Sequence, residues 1–157
     1  MSEKRHDYKV QIIWTGNAGT GTSAYRDYGR DHLISAEGRP TILASADPAF
    51  RGDPTRWNPE DLFLASVAAC HKLWYLHFCA VSGVIVTAYE DNAEGVMEMD
   101  ASGGGRFTEI VLRPRVTIKR GTFPKVAEEL HADSHEKCFI ANSLNFPVRC
   151  EPIIVEA

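Results

Sequence analysis

The stretch NPEDLFLASVAACHKLWYL, residues 58–76, carries the clearest structural signal in the chain. Asn58 is a good N-cap, because its side-chain oxygen can accept a hydrogen bond from a free N–H of the first helical turn. Pro59 suits the first helical position, and Glu60 and Asp61 place negative charge at the positive end of the helix dipole. The stretch therefore predicts a long helix that begins at Asn58.

Mainly apolar residues continue this helix as far as Val81, and Ser82 and Gly83 are expected to end it. A helix that is apolar on nearly all sides belongs at the centre of a fold or in an interface. Cys70 lies near the middle of the helix, so its surroundings are expected to be apolar.

Period-2 alternation of apolar residues predicts strands before and after this helix. The first strand is expected to bury one face, formed by Tyr8, Val10, Ile12 and Trp14. A second helix is expected to begin at Pro124, and residues 91–94 are expected to form a turn between two strands. The predicted strands are residues 8–14, 25–35, 84–89, 95–100, 107–119 and 148–155. This order predicts the α+β class and a single domain over residues 1–157.

Charge and hydropathy argue against several classes of function. The net charge is −4 and no block of Lys or Arg stands out, so nucleic-acid binding is not expected. The N-terminus has no apolar signal region, and no run approaches about 18 uninterrupted apolar residues, so neither secretion nor membrane insertion is expected. These observations favour a cytoplasmic protein, and no cofactor is expected.

The cytoplasm is a reducing compartment, so the four cysteines are not expected to form a structural disulfide framework. They are expected to be buried thiols, metal ligands or redox groups. Cys70 lies in an apolar helix, so it could be a buried thiol that only fills space in the core. Cys138 lies near the end of the second helix among charged residues, which is less typical of packing. Two thiols on two helices indicate redox chemistry, whereas Cys79 and Cys150 are interpreted as core residues.

A metal site is the alternative that the residues leave open. His131, His135 and Cys138 lie at positions i, i+4 and i+7, which places them on one face of a helix. Histidine and cysteine are the common zinc ligands, and His71 or His77 could supply a fourth one.

Two motifs closely resemble the OsmC/Ohr family of osmotically inducible and organic hydroperoxide resistance proteins. Residues 58–76 resemble its active-site helix, in which an NPEEL-like start precedes small and apolar residues that end in Ala-Cys. His135 and Cys138, with two residues between them, match the second motif. The order of strands and helices also agrees, from Tyr8 to Val155. The stretches AFRGD and CHKLWYL are similar to the OsmC-like branch of the family.

This resemblance implies a cysteine-based peroxidase with the OsmC-like fold, which has curved antiparallel sheets around a long central helix. Cys70 is then the thiol that attacks the peroxide, and Cys138 resolves the oxidised Cys70 as a disulfide. The implied substrate is an organic hydroperoxide, and an external dithiol restores both thiols. The apolar residues expected to favour such a substrate are Phe63, Leu73 and Trp74, together with Phe139 or Phe146.

The family pattern also implies a glutamate, at Glu60, and an arginine from an earlier loop that holds Cys70 as a thiolate. The first Gly-rich loop, TGNAGTGTS, contains no arginine, which departs from the Ohr pattern. Arg51 is the favoured candidate, and Arg26 and Arg30 are the alternatives.

Glu60 and Cys70 cannot touch within one helix, because ten helical residues rise about 15 Å. If both serve one site, the glutamate comes from another chain, in agreement with the intertwined homodimer that the resemblance implies. A non-enzymatic dimer that binds ligands or acts in the stress response, with slow thiols, remains the alternative to a peroxidase.

Overall fold

The computed structural model describes residues 3–157, and the predicted α+β class is confirmed. The chain divides into two compact units, the first ending at Leu62 and the second spanning Phe63–Ala157, so the expected single domain stays a prediction. The helices are α1 (Pro59–Val81) and α2 (Pro124–Lys137), with single 3-10 turns at Pro48–Phe50 and Ala141–Ser143. The strands are β1 (Gln11–Trp14), β2 (His32–Ser35), β3 (Ile42–Ala44), β4 (Val86–Asp91), β5 (Glu94–Met99), β6 (Gly105–Leu112), β7 (Pro114–Ile118), β8 (Val148–Cys150) and β9 (Ile153–Glu156).

The first unit contains an antiparallel sheet in the order β1-β2-β3. The strand expected over residues 25–35 is shorter than predicted, because only β2 pairs with its neighbours. The buried face predicted for the first strand is wrong for a single chain. Tyr8 is 86% exposed and Trp14 is 43% exposed, and every residue of β1 is exposed.

The second unit contains two three-stranded sheets, in the orders β4-β7-β9 and β5-β6-β8. Residues 92–93 connect two strands, as the expected turn at residues 91–94 implies, but these two strands do not pair with each other. β4 pairs with β7 and β5 pairs with β6, so the hairpin turns at residues 100–104 instead. β8 and β9 add to β6 and β7 in parallel, so these sheets are mixed, not purely antiparallel as expected.

The long strand predicted over residues 107–119 is interrupted between β6 and β7 at Arg113. The Arg113 backbone N–H donates a hydrogen bond to Asp91 Oδ1 at 2.8 Å, so a side chain replaces a strand partner there. Pro114 follows and has no N–H to donate. The predicted last strand is likewise divided, at Glu151 and Pro152, into β8 and β9.

α1 begins as predicted, because the Asp61 backbone N–H donates to Asn58 Oδ1 at 2.8 Å. It ends at Val81, and Gly83 follows with a φ of +75°, a left-handed conformation that glycine adopts without strain. The two predicted ends of the helix are therefore confirmed.

One stripe of α1 packs into the second unit, and the residues buried along the helix are Val67, His71, Tyr75 and Cys79. Val67 packs in a cluster with Ile110 and Leu112, whereas Tyr75 and Cys79 belong to a second cluster. By length and composition α1 could span a membrane, but core helices meet the same criteria. Its other faces are not buried within one chain, since Leu73 and Val81 are exposed.

Candidate active site

Two cysteine thiols meet where α2 ends beside the middle of α1. Cys70 is half-buried on α1, and Cys138 is the C-cap of α2 and only 1% exposed. The Cys138 backbone N–H donates to Ser134 O at 2.9 Å, and the extended backbone of Cys138 then turns the chain away from the helix. The Cys138 thiol lies close enough to the Cys70 thiol for Cys70 to raise its pKa, and both thiols are free. The fold thus brings together two predicted site residues that are 68 positions apart (138 − 70).

The surroundings of Cys138 favour its protonated form. Burial raises the pKa of the Cys138 thiol, and the neighbouring Cys70 raises it further. The backbone N–H groups of Ala141 and Ile140 act in the opposite direction, and that of Ala141 lies 3.5 Å from Sγ. Since burial is the largest contribution, Cys138 is a neutral thiol at neutral pH.

An apolar pocket of about 340 Å³ opens beside Cys70. Its lining residues are Cys70, Leu73, Trp74, His77 and Phe139. The Trp74 and Phe139 rings meet edge to face with centroids 5.4 Å apart, so α1 and the segment after α2 each supply one wall. The pocket can therefore accept an apolar group next to the Cys70 thiol.

The expected apolar lining is only partly correct. Leu73, Trp74 and Phe139 line the pocket, but Phe63 and Phe146 pack with Phe107 in the core cluster around Val67. His77 was missed as a pocket residue, although its position two turns after Cys70 places both on one helix face.

Glu60 and Arg51 both belong to the first unit. Glu60 is half-buried in the first turn of α1, and its Oε2 is buried with no hydrogen-bond partner within residues 3–157. Arg51 is exposed, with a φ of 67°, and its guanidinium carbon lies 5.9 Å from the Tyr25 ring centroid. Asp53 forms its ion pair with Arg56 at 3.9 Å.

The alternative arginines differ in how firmly they are held. The Arg30 guanidinium lies over Tyr28, 3.8 Å from the ring centroid, and donates hydrogen bonds to the backbone carbonyls of Tyr25 and Tyr28. Arg26 is exposed. Arg51 and Arg26 are thus less constrained than Arg30.

The three residues of the predicted metal face are not brought together. His131 turns towards α1, where its Nδ1 lies 3.0 Å from His71 Nε2. Cys138 faces Cys70, and His135 is exposed. Within the described chain, His131 instead forms a group of possible ligands with His71 and Cys150.

Cys150 packs against the core cluster around Val67, as predicted, but it also lies beside the two histidines. Its Sγ lies 3.8 Å from His71 Nε2 and 3.8 Å from His131 Nδ1. No local pattern could have indicated this, because the position of Cys150 depends on the parallel pairing of β8 with β6. Cys79 is likewise buried in the core, as predicted.

Comparison with known proteins identifies what the chain resembles. The family model described as OsmC-like protein matches residues 52–152. An OsmC-like protein of unknown function from Vibrio cholerae is 31% identical, with a TM-score of 0.85 over 95% of this chain and 100% of that one. An organic hydroperoxide resistance protein OsmC from Legionella pneumophila is 20% identical, with a TM-score of 0.68 over 96% of this chain and 99% of that one.

The organic hydroperoxide resistance protein OhrB of Bacillus subtilis has the same fold. It is 20% identical, with a TM-score of 0.62 over 94% of this chain and 98% of that one. No curated protein sequence matches the chain.

Proposed function

Because this chain belongs to the OsmC-like protein family, we propose that it is a cysteine-based peroxidase that reduces organic hydroperoxides to alcohols. The observation that carries the proposal is the pair of free thiols, Cys70 and Cys138, beside an apolar pocket. Related folds include organic hydroperoxide resistance proteins, which supports this class of substrate.

Cys70 is the attacking thiol, because it lines the pocket whereas Cys138 is buried and is not among the lining residues. The Cys70 thiolate attacks the distal peroxide oxygen; a sulfur–oxygen bond forms, the oxygen–oxygen bond breaks, and the leaving alkoxide takes one proton from solvent to become the alcohol. Cys138 then attacks the Cys70 sulfenic acid and releases water, which leaves a disulfide. An external dithiol reduces this disulfide by exchange and restores both thiols.

Arg51 and Glu60 have supporting roles in this proposal. A cation is needed because the reacting species is the thiolate. A guanidinium stays charged and its forked donors can hold both the thiolate and a peroxide oxygen. Glu60 would anchor that arginine, and its unpartnered buried Oε2 supports a role in binding a cation. A cycle that needs a dithiol reductant also fits the reducing cytoplasm.

Mass spectrometry after one equivalent of cumene hydroperoxide tests the proposal directly. We expect a disulfide between Cys70 and Cys138, with Cys79 and Cys150 still reduced. Unmodified protein after complete mixing would favour the alternative, a dimer that binds apolar ligands in the pocket without turnover.

Matched serine variants identify the attacking thiol. We expect Cys70→Ser to lower peroxide consumption below about 1% of wild type, since catalysis by the nucleophile is lost. Cys79→Ser, which replaces a buried thiol on the same helix, should keep most of the activity. Equal losses in the two variants would mean that Cys70 is not the reacting thiol.

A further inference from the structure

Three possible metal ligands converge in the interior of the second unit, apart from the thiol pair. His71 comes from α1, His131 from α2 and Cys150 from β8. The two histidines are almost fully buried, 1% and 4% exposed, and all three ligand atoms lie within 4.8 Å of one another. Three different elements therefore bring two nitrogen atoms and one sulfur atom close together.

The distances fit a zinc ion. With bonds of about 2.1 Å to nitrogen and 2.3 Å to sulfur, tetrahedral geometry separates two nitrogens by about 3.4 Å and nitrogen from sulfur by about 3.6 Å. The observed separations are 3.0 Å between the nitrogens and 3.8 Å from Cys150 Sγ to each of them. Shifts of a few tenths of an ångström would accommodate the ion.

The chemical state of the two histidines also suits a cation. Burial lowers the pKa of both His71 and His131, so both rings are neutral at pH 7 and offer a lone pair. The Tyr75 ring stacks on His131 with centroids 3.9 Å apart, which fixes the orientation of the imidazole. The Tyr75 hydroxyl donates to Ala127 O at 3.0 Å, so this contact also holds α2.

The simpler interpretation is a buried hydrogen-bonded pair of histidines beside an inert thiol. One hydrogen bond then joins the rings, and His131 Nε2 stays buried without a partner in the described residues. This interpretation explains the 3.0 Å contact, but the single S–H of Cys150 can donate to only one of the two ring nitrogens that lie 3.8 Å from Sγ.

We propose that His71 Nε2, His131 Nδ1 and Cys150 Sγ form a zinc site that joins α1, α2 and β8. Binding replaces the Cys150 S–H proton with the Zn–S bond, so one proton is released for each ion bound. Three protein ligands leave the fourth position to a water molecule. The ion would hold α2 against α1 and so keep Cys138, at the end of α2, beside Cys70.

Titration of reduced, metal-free full-length protein with Co²⁺ tests the site independently of peroxidase activity. Co²⁺ is a spectroscopic substitute for Zn²⁺, and a thiolate ligand gives it a charge-transfer band in the near ultraviolet. We expect the band to saturate at one ion per chain, one proton to be released, and Zn²⁺ to abolish the band. An absence of saturable binding by folded wild-type protein would overturn the proposal without any variant.

Serine variants locate the ion. Cys150→Ser should remove the charge-transfer band and weaken Zn²⁺ binding at least about 100-fold, whereas Cys79→Ser should change neither. The double variant Cys70→Ser/Cys138→Ser should keep the band. If the double variant loses the band and Cys150→Ser keeps it, the ion binds at the thiol pair and the proposed site is wrong.

Discussion

Cys138 is buried at the end of α2 and is held as a neutral thiol, so its proposed task begins only after Cys70 has been oxidised. The sulfenic acid at Cys70 is an electrophile, and in the proposed cycle a neighbouring thiol has to close the disulfide before a second peroxide molecule arrives. In the proposed cycle, Cys138 therefore protects Cys70 from further oxidation as well as completing turnover.

We expect Cys138→Ser to react once with peroxide and then accumulate oxidised Cys70. Without an internal thiol, the sulfenic acid proceeds to the sulfinic acid under excess peroxide. Intact-mass spectrometry should show a gain of two oxygen atoms on Cys70, whereas wild type shows the disulfide. Sustained turnover of the variant with a dithiol would show that Cys138 is not required for resolution.

The buried His71–His131 pair is expected to make the folded protein less stable at acidic pH. Burial is the main cause that lowers the pKa of His71 to about 4 and of His131 to about 3, from about 6.5. The unfolded chain therefore binds more protons than the folded one below about pH 6.5, so stability falls as pH decreases towards 4. Cys150 and Tyr75 lie against the pair, and His135 lowers the pKa of His71 further through charge repulsion.

Urea unfolding of the metal-free protein at pH 7 and pH 5 measures this effect. Each buried histidine contributes up to about 1.4 kcal/mol per pH unit, so wild type should be clearly less stable at pH 5. His131→Phe keeps an aromatic ring against Tyr75 and should roughly halve the slope. His6→Gln, which changes an exposed histidine, should leave the slope unchanged. Equal midpoints at both pH values for wild type would contradict the prediction.

Among the elements, those specified by local sequence were predictable. α1 begins and ends where its N-cap and its glycine indicate, because a helix is bounded by hydrogen bonds between near neighbours. Strand pairing involves distant residues, so period-2 alternation predicted that β4 and β5 exist but not that they pair with β7 and β6. The same distinction applies to individual residues. Sequence motifs indicated Cys70 and Cys138, whereas the position of Cys150 beside the histidines depends on strand pairing.

The N-cap of α1 is expected to stabilise the folded protein. Asn58→Ala removes the acceptor for the Asp61 N–H and should lower the free energy of unfolding by about 1 kcal/mol. Asn145→Ala, at an exposed position before β8, is the matched control and should change it by less than about 0.5 kcal/mol. Urea denaturation of both variants measures the difference, and equal stabilities would mean that the cap contributes nothing.

Across the whole molecule, large apolar side chains are exposed on each unit. In the first unit they include Tyr8, Val10 and Ile12, and in the second Leu73 and Val81. Such surface is commonly covered by a partner chain. A partner chain on this surface would also bury the face that alternation predicted for the first strand, which a single chain does not do. We expect light scattering to report a homodimer.

Glu60→Gln should lower activity more than stability. If Glu60 anchors the activating arginine, the neutral amide still packs but no longer holds the guanidinium, and thiolate formation at Cys70 becomes less favourable. We expect at least about a 10-fold loss of kcat/KM, which corresponds to about 1.4 kcal/mol, with less than about 0.5 kcal/mol of lost stability. Asp61→Asn, at an exposed carboxylate in the same helical turn, is the matched control and should keep its activity.

Subunit mixing tests whether the two chains share each site. Glu60 and Cys70 are separated by about 15 Å of helix, so a site that uses both requires them from different chains. A mixed dimer of Cys70→Ser and Glu60→Gln then carries one site with both changes and one intact site. Random exchange of equal amounts makes half of the dimers mixed, so activity should return to about a quarter of wild type. If both residues act within one chain, every site stays damaged, and exchange demonstrated by differently tagged subunits would produce no recovery.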